Sequence, residues 1–224
     1  MDYLSLTNKF LLETGVADTV ATIVDAYDDV AQAAHWIDSS WAAIQVSRRW
    51  PFRFAEKTIN VTNGTTSYTF NAMGLSDGDL IIADSFYNAA GEIEQLNYEA
   101  LRKKRRAAST TQDTSRIYCV ATPVAKLETY PDVDTTQVLA FDYLKATQTL
   151  ALNSDVPYGL PSDYHMMIVH LAVTKYAALM GGQEGANLYG HHGPLYRKFF
   201  NDFVQVNNKD NEQDTTPARG TLVS

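Results

Sequence analysis

Two short carboxylate pairs, Asp77-Gly78-Asp79 and Asp132-Val133-Asp134, have residue types and spacing that could hold a hard cation or share acid–base work. Asp and Gly are also what a reverse turn requires, and both pairs lie among turn-forming residues, which favours the structural role. The enzymatic version of this reading is a small carbohydrate- or peptidoglycan-active hydrolase using Asp77, Asp79 or Glu92. It requires two carboxyl groups a few Å apart in a cleft. The histidines are His35, His165, His170, His191 and His192. A helix turns His165 and His170 away from each other, because they lack the four-residue spacing of a zinc-binding pair. His191 and His192 fall in the glycine-rich stretch from Gly185 to Gly193, which reads as a polar link between helices.

Other chemistries lack their signatures. No Gly-x-x-x-x-Gly-Lys-Ser/Thr loop occurs, and no Gly-x-Gly-x-x-Gly follows a strand, so no phosphate cradle of either kind is expected. There is no Gly-x-Ser-x-Gly elbow. Cys119 is the single cysteine, which excludes an intrachain disulfide and a thiolate metal cluster. The reading is therefore of a protein without catalytic residues, metal or cofactor.

The one strong local charge signal is Arg102-Lys103-Lys104-Arg105-Arg106. Successive helical residues are offset by about 100°, so this run cannot lie on one face. It could contact phosphates or an acidic partner, or be a solvated helix end favoured by the helix dipole. A nucleic-acid-binding regulator would use the same run. The chain as a whole carries a formal charge of −8, which argues against a surface that grips nucleic acid throughout. Acidity does not exclude a wall that DNA must slide past, since repulsion there prevents sticking. A second set of cations, Arg48, Arg49 and Arg53, surrounds Trp50-Pro51-Phe52.

These residues are positioned by elements legible from periodicity. Residues 3–14 read as a helix closed by Gly15. From Asp25, Val30, Ala34, Ile37, Trp41 and Ile44 fall on one helical stripe, and Pro51 stops it. Between 54 and 146 the period changes to that of strands. Asn63-Gly64-Thr65-Thr66 and Asn88-Ala89-Ala90-Gly91 read as hairpin loops, and Tyr98–Arg106 as a short helix. Strands follow at 116–122, 126–130 and 138–144. Ser162 or Asp163 is an N-cap candidate for an apolar helix that runs to Met180 and ends at Gly181-Gly182. A last helix covers about Pro194 to Val206. The expected organisation is thus residues 1–53 as N-terminal helices, 54–146 as a β-rich insertion, 147–206 as C-terminal helices, and 207–224 as a flexible polar tail. The fold class is α+β: a helical bundle built from both ends of the chain, with a central, mostly antiparallel β insertion. The N-terminus has no signal-peptide pattern, and the most apolar window is too short to span a bilayer, so no membrane association is expected.

Trp41…Arg48-Arg49-Trp50-Pro51-Phe52, the Asp142-Tyr143-Leu144 strand, and Asp155-Val156-Pro157-Tyr158-Gly159-Leu160-Pro161-Ser162-Asp163-Tyr164 leading into an apolar helix come in a familiar order. In it the chain resembles the head–tail adaptor (head-completion, connector) proteins of tailed bacteriophages, over most of residues 1–206. The resemblance implies a virion protein made in the host cytoplasm. It implies a dodecameric ring of subunits beneath the portal, contacts with the portal protein and with neck or tail proteins, and a channel that passes genomic DNA without reading its sequence. On this reading Arg102, Lys103, Lys104, Arg105, Arg106, Arg48, Arg49 and Arg53 are the candidate partner-binding residues.

Overall fold

The computed structural model describes residues 1–82, 85–89, 91–93, 97–107, 118–122, 126–130 and 136–214. The chain forms two compact units, one of residues 1–52 with the chain from Thr147 onward, the other Arg53–Ala146.

The first unit is helical. Helix α1 (Tyr3–Thr14) is capped by the Asp2 side chain accepting from the Ser5 amide, and ends at Gly15, whose N–H donates to Leu11 O. Helix α2 (Asp28–Val46) buries Ala34, Ile37, Trp41 and Ile44 on the stripe that the spacing defines. It starts later than Asp25 and stops before Trp50; a 3-10 turn, Pro51–Arg53, takes over at the proline. A second 3-10 turn, Ser162–Tyr164, precedes helix α4 (Met166–Met180), so the expected side-chain cap at Ser162 or Asp163 is not the start of the α-helix. Helix α4 is buried at Met167, Ile168, Val169, His170, Ala172, Val173 and Ala177, and packs against α1 and α2.

Helix α5 corrects the sequence reading. It runs from Gly182 to Asp214 and takes in the stretch from Gly185 to Gly193 that reads as a link, as well as the first residues of the expected tail. The remaining tail lies outside the described residues. At Gly185 the reason is packing: a Cβ there would sit 2.5 Å from Ala177 O, so only glycine lets α5 start this close to α4. Here glycine marks close approach of two helices where composition alone suggests a loop.

The second unit is antiparallel β with one helix. Strand β1 (Phe54–Val61) pairs along its whole length with β8 (Gln137–Leu144), from Phe54↔Leu144 to Val61↔Gln137. Strands β3 (Leu80–Ile81) and β4 (Tyr87–Asn88) also lie on β8, and β5 (Gly91–Glu92) pairs with β4. A second sheet has the order β2 (Ser67–Thr69), β7 (Lys126–Tyr130), β6 (Tyr118–Thr122). Helix α3 (Tyr98–Ala107) is capped by Asn97, whose Oδ1 accepts from the Ala100 amide. The hairpin expected around Asn63–Thr66 does not form as a ladder, because β1 and β2 belong to different sheets. An eight-residue strand gains more from an eight-residue partner than from a three-residue neighbour, and non-local pairing wins. The core of this unit is Ile59, Val61, Phe70, Phe86, Leu127, Leu139 and Phe141, with Phe86 and Phe141 rings 5.2 Å apart.

Candidate assembly surfaces

The two sequence landmarks meet in space. Trp50 is fully buried, and its Nε1–H donates to Ile44 O at 2.6 Å, closing the end of α2. Phe52 stacks on Trp41 (6.0 Å) and on Trp50 (6.1 Å), and Tyr158 meets Phe52 edge-on at 5.8 Å. Phe200 and Phe203 of α5 complete the cluster against Trp50. Gly159 makes the contact possible: at φ +72°, an added Cβ would fall 2.4 Å from Phe52 Cβ. The Trp-Pro-Phe corner and the Tyr158-Gly159 turn are two halves of one aromatic joint.

Side-chain amides pin the same joint. Gln45 and Gln148 exchange bonds reciprocally, Gln148 N–H to Gln45 Oε1 (2.7 Å) and Gln45 Nε2 to Gln148 O (3.0 Å). Gln148 Oε1 accepts from Trp41 Nε1–H (3.0 Å) and from the Tyr158 amide (2.9 Å). Asp155 Oδ2 accepts from the Ala151 and Leu152 amides, and those bonds hold its carboxyl below the usual range.

The candidate cations divide by surroundings. Arg48 is exposed, lies 5.2 Å over the Trp50 ring, and donates to Asn208 Oδ1 at 3.2 Å. Arg49 is exposed. Arg53 holds the backbone instead, since Nε and a terminal nitrogen both donate to Lys145 O, at 3.1 and 2.8 Å. On α3, Arg102, Lys103, Lys104 and Arg106 are exposed while Leu101 is buried, and Arg102 lies 5.4 Å over the Tyr98 ring. The Arg105 side chain is outside the described residues.

Of the carboxylates in the hydrolase reading, Asp79 serves the backbone. Asp79 accepts from the Ser76 amide through Oδ2 (2.8 Å) and from the Ala146 amide through Oδ1 (2.6 Å). Asp132 and Asp134, and the Glu92 side chain, fall outside the described residues. Among the described residues no cluster of three or more His, Cys, Asp or Glu is placed to hold a metal.

One buried pair escapes the sequence reading. His170 and His192, both nearly inaccessible, bring Nδ1 atoms within 3.0 Å, and Glu13 lies 3.8 Å from His192 Nε2. Burial, then the nearness of His192, pushes His170 down to about 4; burial also lowers His192, against the pull of Glu13. With His192 read as part of a loop, nothing in the spacing links it to His170.

A family comparison decides what kind of protein carries this joint. A family model described as SU10 adaptor protein matches residues 1–221. The chain belongs to the SU10 adaptor protein family. No curated protein matches the sequence. As an SU10 adaptor, the chain is a phage structural protein of the virion that interacts with other head and tail proteins. That membership points to a non-enzymatic role. Among the described residues, no helix is long and apolar enough to cross a membrane.

Proposed function

We propose that this SU10 adaptor forms a ring beneath the portal, joins the DNA-filled head to the tail, and continues the channel through which the genome passes. The family match across residues 1–221 carries the reading. Two physical features support it. A net charge of −8 disfavours adhesion of the polyanion that must slide past. Against that acidic background, the exposed cations of α3 are one group that carboxylates of a neighbouring protein could meet, and the Arg48–Arg49 pair of the helical unit is another. Domain boundaries near 53, 146 and 206 belong to the same proposal, with the helical ends as the assembling frame.

The test is electron microscopy of phage heads made without this chain, before and after addition of the purified protein. A ring of new density coaxial with the portal is the expected result. Heads that bind none of the chain, or bind it away from the portal vertex, overturn the proposal.

A further inference from the structure

Helices α4 and α5 enclose a groove of about 410 Å³ whose walls include Leu171, Lys175, Ala178, Tyr189, Tyr196 and Arg197. It is an apolar surface with two cations. Tyr189 is 51% exposed and Arg197 is exposed, while Lys175 is half-buried and tied by one bond, Nζ to Ser39 O at 3.1 Å. Among the described residues neither cation has a carboxylate partner, in a chain of net charge −8. Burial without that partner holds the Lys175 ammonium below its ordinary range.

The same helical unit carries the opposite surface. At the entry to α2, Tyr27 is 79% exposed and Val24 44%, and Asp25, Asp28 and Asp29 around them are all exposed. This corner cannot fill its own groove. Tyr27 is the residue just before α2, and Ser39, which holds Lys175, lies roughly 18 Å further along that helix at ~1.5 Å per residue.

We propose that the Tyr27 corner of one copy docks in the α4–α5 groove of the next, with Asp25, Asp28 and Asp29 facing Lys175 and Arg197. This rests on the adaptor-ring reading and names the contact that builds the ring. The sizes agree: the groove is within the ~300–1,000 Å³ range of sites that enclose a small organic group, and a Tyr ring buries ~150–250 Å². Tyr is favoured at interfaces because it combines a large apolar body with a polar tip. The charges agree too, since among the described residues no ion pair involves either the three carboxylates or the two cations. Because knob and groove are different patches, the contact is head-to-tail, and repetition builds a ring when the rotation closes, where a self-complementary patch would stop at a dimer.

The experiment uses the full chain with Cys119→Ser, Val24→Cys and Ala178→Cys, which keeps Tyr27 in place, bound to heads made without the protein and oxidised mildly. A non-reducing gel is expected to show a ladder of linked copies, absent with either single cysteine. In parallel, Tyr27→Ala and Arg197→Glu should weaken copy-to-copy association at least ~10-fold, as loss of an interface anchor does. Both residues are exposed, so circular dichroism should be unchanged. Heads that carry many copies with no ladder and no effect of either substitution overturn this contact and leave the adaptor reading intact. A cross-link from the groove to a different phage protein overturns the second copy as occupant. Heads that bind none of the chain overturn the ring reading, and this contact with it.

Discussion

In the helical unit, segments distant in sequence are locked by side chains: Gln45 to Gln148, Asp38 to the Leu150 amide, Trp41 to Gln148, and Phe52 between two tryptophans. In the sheet unit, distant segments meet mainly through the backbone, with eight consecutive pairs joining β1 to β8. Specificity in the first therefore resides in particular residues, and in the second in strand length and register. A single substitution should cost more stability at the aromatic joint than at the exposed α3 cations.

The largest effect is expected at the joint. Trp50→Ala removes a fully buried ring and the hydrogen bond that closes α2, and should destabilise by about 3–5 kcal/mol. Gly159→Ala adds one methyl at positive φ against Phe52, and should cost about 2–3 kcal/mol through strain and overpacking. Denaturant melts followed by tryptophan fluorescence measure both. A Gly159→Ala protein as stable as the parent would show that the two landmarks are not locked together.

The histidine pair gives a smaller, pH-dependent effect in the same unit. Folded His170 titrates near 4 and His192 below its ordinary value, whereas the unfolded chain takes up protons below ~6.5. The unfolded state thus binds more protons across this window, so stability rises with pH from ~4 to ~6.5 and is complete above it. Glu13 opposes the shift and His191 adds to it. The loss on acidification should be about 2–3 kcal/mol, read as a fall in Tm between pH 6.5 and 4.5. His170→Gln should flatten that slope. An equally steep slope in His170→Gln would exclude the pair as its origin.

The helical ends are largely legible in the sequence because a period of 3.6 and a terminating residue are local signals. Asp2 and Gly15 bracket α1, and the α2 stripe is buried as spaced. The misreadings have one cause, that local composition does not report a distant neighbour. Gly185 looks like a loop residue until Ala177 O is placed 2.5 Å from where its Cβ would be. Asn63-Gly64 looks like a hairpin until β8 is seen to match β1 in length. Arg53 shows the same dependence, since its bonds to the Lys145 carbonyl join it to a residue far away in sequence. The α4–α5 groove is illegible for the same reason, since Tyr189 falls in the stretch that reads as a link between helices.

The smallest effect on stability, and the sharpest contrast with the joint, is expected on α3. Replacing Arg102, Lys103, Lys104 and Arg106 with Gln removes like-charge repulsion, worth about 1 kcal/mol or less per close pair in water. It also removes favourable interaction with the helix C-terminus, ~0.3–1 kcal/mol at an exposed site, and the contact of Arg102 with the Tyr98 ring, about 0.5–1 kcal/mol. These terms oppose one another, and all four side chains are exposed. The melt should therefore move by about 0.5 kcal/mol or less. Attachment to heads should fall steeply and with strong dependence on salt, because rim charges act through complementarity with a partner. A variant that melts like the parent and still attaches at every salt concentration would reduce the run to a solvated helix end. One that unfolds would place these cations in the fold, and the division between residues that build the chain and residues that join it would have to be redrawn.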